Sequence, residues 1–264
     1  MPVKRLILYL SLILLLILPA ICGGCTFEVI NGSGENASWE MDYTDFARLE
    51  INSGFDTEIS RADSYAVTIT IDKALYEYLR INQRGNTLHI GLKSSYTYAN
   101  AVRKAIVTLP DLSKLELSGG SRANVRDFDV KHALDFKLSG ASRMELESIS
   151  TGDAGFDLSG SSRAEGTIII NKGNFKLSGV STLELEGAGN EIKIDASGGS
   201  NVKLADFYVL DASVKLSGAS DAVIKVGDHL DVNLSGASDL KYIGTPKLGS
   251  IIVSGGSTVN PQEP

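Results

Sequence analysis

Apolar and polar residues alternate along most of this chain, and a two-residue period of this kind predicts β-strands rather than helices. In the stretch FKLSGASRMEL, residues 136–146, every second position beginning with Phe136 is apolar or small. Residues 175–185 and 214–224 keep the same parity. Because alternate residues of a strand face opposite sides, each stretch predicts one buried face and one exposed face.

The motif Ser-Gly-x-Ser lies in the middle of each such stretch and occurs eight times. Its copies begin at Ser118, Ser139, Ser159, Ser178, Ser197, Ser217, Ser235 and Ser254. Successive copies are 21, 20, 19, 19, 20, 18 and 19 residues apart, a regular period that is typical of solenoid proteins. Leucine-rich repeats share this period, but the helical half of their repeat is missing from this sequence. We therefore predict an all-β parallel β-helix, a solenoid with about 19–20 residues per coil.

Each motif is interpreted as the turn between two strands of one coil, since tight turns favour small residues. If the backbone stays extended through the motif, its first serine and its third residue point outward. The glycine and the second serine then point inward or line the bend. These predicted turn residues are Gly119, Ser121, Gly140, Ser142, Gly160, Ser162, Gly179, Ser181, Gly198, Ser200, Gly218, Ser220, Gly236, Ser238, Gly255 and Ser257.

The outward residue two positions before each motif provides a test of coil stacking. Over the first six coils its charge alternates between negative and positive. Coils in register place neighbours in this column about 4.8 Å apart. Like charges facing each other would be destabilising, and this order avoids them. The column contains Glu116, Lys137, Asp157, Lys176, Asp195, Lys215, Asn233 and Ile252.

Residues 39–117 are less regular than the coils assigned to residues 118–259. They include FARLEINSGFDTEIS, which has the same strand–turn–strand outline, and KALYEYL, residues 73–79, which predicts a single helical turn. We predict that this segment forms the first irregular coils and a cap over one end of the stack, which solenoids require. Residues 260–264 are a C-terminal tail whose prolines would discourage edge-to-edge growth.

Residues 1–25 have the order of an export signal, with two basic residues, an apolar run over residues 6–21 and then small residues. Cys25 follows two glycines and resembles the lipid-modified cysteine of a bacterial lipoprotein, although Cys22 lies where such signals usually carry leucine. We predict lipidation at Cys25; plain cleavage and a retained membrane anchor are the alternatives. The polar residues 26–38 predict a flexible tether between membrane and domain.

Composition argues against several functional classes. The net charge of −7 and the lack of a long basic run argue against nucleic acid as a partner. No His-x-x-x-His spacing indicates a metal site, both cysteines lie in the predicted export signal, and we predict no cofactor. A serine hydrolase needs one serine activated by a histidine and an acid, whereas eight equivalent serines cannot share the scattered His89, His132 and His229.

Two outward surfaces are candidate ligand sites. One is a column of stacked arginines that could bind an anionic glycan, although Glu145 and Glu165 nearby favour simple charge compensation. The other is a pair of tyrosines in the surface loop predicted for residues 93–104, which could form an aromatic platform. The candidate ligand residues are Arg122, Arg143, Arg163, Tyr96 and Tyr98.

The repeated phrases LSGAS, LSGSS and LSGGS, with the introductory FARLEINSGFDTEI and the bridge VTLPDLSKLELSGG, resemble the head GIN domain family of "putative auto-transporter adhesins". The resemblance covers residues 46–259. It implies a right-handed parallel β-helix with Ser-Gly turns between its sheets, on exported proteins with a role in adhesion. It implies no catalytic residues.

These observations together predict a non-enzymatic protein of the cell envelope or surface, anchored to the membrane through an N-terminal lipid or anchor. Its β-helix would bind an extracellular glycan or an envelope or host protein. One alternative is a carbohydrate-active β-helix enzyme, either a polysaccharide lyase or a hydrolase, which would need clustered acids above a groove. The other is a purely structural envelope spacer with no saturable ligand.

Overall fold

The structure is a computed structural model that describes residues 28–263. The predicted export signal, with its candidate lipidation site Cys25, lies outside the described residues. The described chain is almost entirely β, with 22 strands and a single 3-10 helix. No helix in this part of the chain is long and apolar enough to cross a membrane.

Two strands flank a Ser-Gly turn in every coil, and successive coils stack in parallel, which confirms the predicted β-helix. The first coil contains β3 (Arg48–Ile51) and β4 (Asp56–Arg61). The later coils contain β10 (Lys114–Leu117), β11 (Arg122–Arg126), β12 (Leu134–Leu138), β13 (Arg143–Ser150), β14 (Asp153–Leu158), β15 (Arg163–Ile169), β16 (Lys172–Leu177), β17 (Thr182–Ala196), β18 (Asn201–Leu216), β19 (Asp221–Leu234), β20 (Asp239–Ile243), β21 (Lys247–Val253) and β22 (Thr258–Pro261).

The strands before the turns form one face of the stack, the pre-turn sheet, and the strands after the turns form the post-turn sheet. The long strands β17, β18 and β19 each contain a post-turn strand and the pre-turn strand of the next coil. In the pre-turn sheet Phe136 lies opposite Phe156, which lies opposite Phe175, so these coils are 20 and 19 residues long.

The two-residue alternation determines which side chains form the core. In β14, Ala154, Phe156 and Leu158 are buried, while the intervening Asp157 is exposed. Phe156 belongs to an aromatic column, with its ring centroid 5.0 Å from that of Phe136 and 5.4 Å from that of Phe175. Aromatic pairs at such distances stabilise a core beyond the area they bury. Stacking of equivalent apolar residues therefore builds one continuous core along the coils.

The cap closes the N-terminal end of the stack. It contains β1 (Glu28–Asn31), β2 (Asn36–Met41), β5 (Ala66–Asp72), the 3-10 helix Lys73–Tyr78, β6 (Leu79–Arg84), β7 (Thr87–Leu92), β8 (Tyr96–Ala99) and β9 (Arg103–Leu109). Strand β7 pairs in parallel with β3, and β9 with β4, so the cap covers both sheets of the first coil. Strands β6, β5 and β2 then add antiparallel pairings. The helical turn predicted for residues 73–79 is present as the six-residue 3-10 helix Lys73–Tyr78.

The flexible tether predicted for residues 26–38 is wrong for the part that the structure describes. Strand β1 pairs with β8, and β2 pairs with β5. Between them, buried Asp72 accepts hydrogen bonds from the N–H groups of Ser33 and Gly34 at 2.9 and 2.8 Å. These bonds, the one from Ser33 above all, lower the pKa of Asp72 to about 2. The Gly/Ser composition therefore belongs to a fixed turn, because a buried carboxylate holds its backbone.

The C-terminal end of the described stack has no comparable cover. Strand β21 pairs with β19 and β22 pairs with β20, and no further described strand follows them. Leu248, Ile251 and Val253 continue the columns of β19, yet they are 47%, 40% and 43% exposed. Part of the predicted tail, residues 260–261, is the end of β22 and pairs with β20.

Candidate functional site

The Ser-Gly turns have a structural role that involves the second serine of each motif. In the first seven motifs this serine is buried, and its hydroxyl donates across the turn to the carbonyl oxygen of the first serine. Ser142 donates to Ser139 and Ser181 donates to Ser178, each at 2.8 Å. The same bond is made by Ser121, Ser162, Ser200, Ser220 and Ser238. In the last coil, the hydroxyl of Ser257 accepts from the N–H of Ser238 at 3.2 Å.

The expectation of an extended backbone through the motif is wrong. Gly140 and Gly179 have φ values of 71° and 74°, which glycine adopts far more readily than other residues. The turn glycines are exposed rather than inward-facing, and a Cβ on Gly179 would lie 2.5 Å from the carbonyl oxygen of Gly160. The N–H of Val180 donates to that oxygen at 2.7 Å, so the turns themselves form a ladder. Positive φ recurs at Gly119, Gly160, Gly198, Gly218, Gly236 and Gly255.

The three histidines lie apart from the turn serines and beside carboxylates. His89 lies 2.7 Å from Glu50, and His132 lies 2.7 Å from Asp111. His229 lies 3.4 Å from Asp231. No group of three or more His, Cys, Asp or Glu side chains that could hold a metal ion occurs in residues 28–263.

The alternating charge column is in register along the pre-turn sheet. Lys137 lies opposite Glu116 and Asp157, and Lys215 lies opposite Asp195. The lysine Nζ is 3.8 Å from the carboxylate of Glu116 in the first case and 3.3 Å from that of Asp195 in the second. Because exposed ion pairs contribute little to stability, the column chiefly disfavours other registers.

The predicted arginine column also exists, on the post-turn sheet. Arg122 lies opposite Arg143, which lies opposite Arg163. The guanidinium of Arg163 is 2.6 Å from Glu165 and from Glu184, and the hydrogen bond to Glu165 contributes most to raising the pKa of Arg163. Among described residues, Arg122 and Arg143 have no carboxylate within 4.0 Å. The column is therefore compensated at one end only.

A concave site lies in the cap, above the first two Ser-Gly turns of the stack. We call it the cap cleft; it has a volume of about 970 Å³ and is open to solvent. The segment from the end of β7 to the start of β9 forms one wall, and the first two turns form another. The cap cleft is lined by Asn52, Ser53, Arg80, Leu92, Lys93, Ser94, Ser95, Tyr96, Thr97, Tyr98, Arg103, Ser118 and Gly119.

The lining of the cap cleft contains three cations, Arg80, Lys93 and Arg103, and neither aspartate nor glutamate. Arg103 is half-buried, and its Nη1 donates to the carbonyl oxygen of Ser53 at 2.9 Å. Its Nε is buried without a hydrogen-bond partner, and no described carboxylate lies within 4.0 Å. Burial lowers the pKa of Arg103, as expected for a cation withdrawn from water without a counter-charge.

Tyr96 and Tyr98 both lie in the cap cleft and pack with Tyr78. The ring centroid of Tyr78 is 4.8 Å from that of Tyr96 and 5.7 Å from that of Tyr98. The Tyr98 hydroxyl donates to the carbonyl oxygen of Lys93 at 2.8 Å, and the Lys93 ammonium lies 5.2 Å from the Tyr78 ring centre, a cation–π contact. Tyr98 therefore holds the loop, and Tyr96 presents a half-buried ring.

Sequence reasoning missed the cations of the cap cleft. Lys93 and Arg103 flank the two tyrosines in residues 93–104, and that cluster was the available signal. Arg80 gave no signal, because it reaches the cleft through the antiparallel pairing of β6 with β7, which no repeat predicts. The predicted surface loop also contains β8, whose partner β1 lay in the supposed tether.

The stacked coils and their Ser-Gly turns match one family model, described as "Putative auto-transporter adhesin, head GIN domain", over residues 45–246. The chain belongs to this family. Membership indicates an exported or surface protein of adhesin type. No curated protein matches the chain.

The solved structures that share this fold include the following three. A "putative adhesin" from Parabacteroides merdae is 18% identical, with 89% of this chain and 99% of that chain covered and a TM-score of 0.82. A "putative adhesin" from Parabacteroides distasonis is 18% identical, with 89% and 100% covered and a TM-score of 0.81. A "putative lipid binding protein" from the same species is 18% identical, with 89% and 100% covered and a TM-score of 0.78. At this identity the likeness shows the fold.

Proposed function

We propose that this protein is a non-enzymatic adhesin of the cell envelope that holds an extracellular glycan or an envelope or host protein on a rigid β-helix. The cap cleft carries this proposal, since it is a concave surface whose charged groups the fold leaves without counter-charges. Concave sites with aromatic walls and a few convergent polar groups are typical of ligand binding.

A binding role fits the chemistry of the described residues better than catalysis does. The turn serines donate to carbonyl oxygens of their own turns, and the histidines lie beside carboxylates elsewhere. The lining of the cap cleft contains no carboxylate to act as general acid or base. Glycoside hydrolysis by a pair of carboxylates would therefore need catalytic groups outside this lining.

Anchoring through Cys25 would place the domain close to the membrane, because β1 begins three residues later at Glu28. Labelled palmitate should be incorporated by the full chain and by a Cys22→Ala variant, and lost from a Cys25→Ala variant. Incorporation that survives Cys25→Ala would remove Cys25 as the lipid site.

The full-length chain should be screened against arrayed glycans and envelope proteins, with product detection in the same samples. We expect saturable binding without turnover, weakened by Tyr96→Ala in the cap cleft. Tyr208→Ala, at a 41% exposed tyrosine on β18, is the matched control and should bind as the wild type does. Turnover would support the carbohydrate-active enzyme instead, and no saturable ligand would support the structural spacer.

A further inference from the structure

We infer that the cap cleft binds an acidic saccharide, with Arg103 holding a carboxylate or sulfate group and Tyr96 packing against a sugar ring. This inference rests on the proposed binding function and names its ligand class. Three cations and no acid line the cleft, in a chain whose net charge is −7. Positive charge is therefore concentrated at this concavity against the overall balance of the protein.

Arg103 is the residue best placed to hold the acidic group. Its bond to the Ser53 carbonyl oxygen uses Nη1 and fixes the position of the guanidinium. The Nε is buried without a partner, whereas Nη2 makes no hydrogen bond to a described residue and is not among the buried atoms, so the Nη1–Nη2 edge of the guanidinium can meet the two oxygens of a carboxylate or sulfate. A buried cation without a counter-charge destabilises the empty site, and an arriving anion would remove that penalty.

Arg80 and Lys93 extend the positive surface toward solvent. The Nη1 of Arg80 donates to the carbonyl oxygen of its neighbour Leu79 at 2.7 Å, which leaves its charge uncompensated. Burial, and then the charges of Glu77 and Glu28, raise the pKa of Tyr78, but neither acid is part of the lining. Three cations around one concavity suit a ligand with repeated negative charges rather than a single anion.

The remaining lining fits the neutral parts of a saccharide. Ser94, Ser95 and Ser118 supply hydroxyl groups, and Asn52 supplies an amide, all of which can pair with sugar hydroxyls. Tyr96 contributes an aromatic ring whose edge contact with Tyr78 fixes its orientation. The cleft has a volume of about 970 Å³ and is open to solvent, so several sugar units can lie in it while the rest of the saccharide extends outside.

The shape of the site favours a saccharide over the surface of an anionic membrane. The Arg103 side chain is half-buried beside the first turn, so a flat layer of headgroups would have little access to its guanidinium. A flexible oligosaccharide can enter the concavity and present its acidic group there. Membrane binding would instead depend on the exposed cations alone.

The test titrates the full-length chain with four probes by calorimetry: an oligogalacturonate hexamer, a heparin-derived hexasaccharide, neutral maltohexaose and phosphatidylglycerol vesicles. We expect saturable binding of at least one acidic hexasaccharide, weakening as salt is raised because the contact is charged. Maltohexaose should bind at least tenfold more weakly. Preferential binding to the vesicles, or equal binding of the neutral probe, would overturn the inference.

Variants assign the binding to the cleft. Arg103→Gln should weaken binding of the acidic probe at least tenfold. Arg80→Gln, at an exposed position, should weaken its binding severalfold without affecting folding. Arg103→Lys keeps the charge but loses the bidentate contact, so its affinity for the acidic probe should fall between those of the wild type and Arg103→Gln. Arg143→Gln on the post-turn sheet is the matched control and should change binding less than twofold. Thermal melting of each variant checks that the fold is intact.

The failures of the two proposals are distinguishable. If glycans bind through Tyr96 but folded Arg103→Gln and Arg80→Gln bind the acidic probes as the wild type does, the acidic ligand is wrong and the binding function stands. If Arg143→Gln abolishes binding instead, the ligand site is the arginine column and the cleft assignment is wrong. If neither the arrays nor the four probes give saturable binding, both proposals fail.

Discussion

In the coils, the Lys203 ammonium lies 3.4 Å from the carboxylate of Glu184 on the neighbouring strand, whereas in the cap Arg103 has no described carboxylate within 4.0 Å. Both residues line cavities. The post-turn cavity around Lys203, about 540 Å³, is lined by lysines together with aspartates and glutamates. In the cap cleft, about 970 Å³, all the charged lining residues are cations. Charges of both signs therefore meet in this cavity of the coils, although Arg122 and Arg143 elsewhere on the coils lack a carboxylate partner among the described residues, whereas no acid lines the cap cleft.

Stacking in register explains this difference. Each residue of a parallel coil faces its own equivalent in the next coil about 4.8 Å away, so uncompensated columns of charge repel. In the antiparallel strands of the cap, a residue no longer faces its own equivalent on the neighbouring strand. Cations from β6, β9 and the loop after β7 can then converge on one concavity without facing acids. The difference suggests that irregular caps, rather than regular coils, are where a β-helix can assemble a charged site.

The largest effect should come from breaking the core of the coils. Phe156→Ala removes the middle ring of the stacked phenylalanines and should lower the free energy of unfolding by about 3–5 kcal/mol. Ile169→Ala, at a 57% exposed position on β15, should change it by less than about 0.5 kcal/mol. Urea denaturation measures both. A small loss for Phe156→Ala would show that the coils do not depend on this column.

The turn ladder can be tested with two glycines that share positive φ but differ in contacts. Gly85→Ala, with φ 58° and no atom near the new Cβ, should cost about 1–2 kcal/mol for the left-handed backbone alone. Gly179→Ala adds a clash with the carbonyl oxygen of Gly160 and should cost a further 1–3 kcal/mol or so. Equal unfolding free energies for the two variants would show that close turn stacking is not required.

Replacing the two serines of one motif should lower the free energy of unfolding by amounts that differ by about one hydrogen bond. Ser181→Ala removes a buried hydroxyl that donates to Ser178 and should lower the free energy of unfolding by about 1 kcal/mol. Ser178→Ala removes an exposed hydroxyl from the same turn and should have almost no effect. Reversal of this order in chemical denaturation would contradict the assigned roles.

The smallest effect appears only in acid and concerns the cap. The pKa of Asp72 is about 2 in the fold, against 3.8 for a free aspartate, so its contribution to stability is fully present above pH 3.8 and is lost as the pH falls through 2. Asp72→Asn should lack this dependence. Melting temperatures of both proteins from pH 6 to pH 2 should therefore converge as the pH falls, and parallel curves would refute the role of Asp72.

The coils were predictable from sequence because each repeat of the Ser-Gly-x-Ser motif corresponds to one coil of the structure. The parity of Phe136 and Phe175, and the charge order around Lys137, required only strand geometry and register. The left-handed glycines were not recognised, since a turn that returns the chain to the same parity leaves the same pattern as an extended backbone. Gly140 illustrates this, because the residues on both sides of its turn keep their faces.

The cap was predictable only as a region. Its strands pair across long sequence separations, for example β1 with β8, and no local pattern specifies such partners. The segment containing Ser33 looked like a tether because its composition is polar, while the carboxylate that fixes it lies 39 residues away. Tyr96 could be named as a candidate from its own segment, which also contains Lys93 and Arg103, whereas Arg80 reaches the cleft through a strand pairing that no local pattern specifies.

Hydrogen–deuterium exchange of the full chain, with and without the acidic hexasaccharide that binds best, tests the central claim most directly. The account predicts slower exchange in residues 93–103 and around the first turn at residues 52–54, with the coils over residues 134–234 unchanged. Slower exchange along the arginine column or the coil turns, with none in the cap cleft, would contradict it.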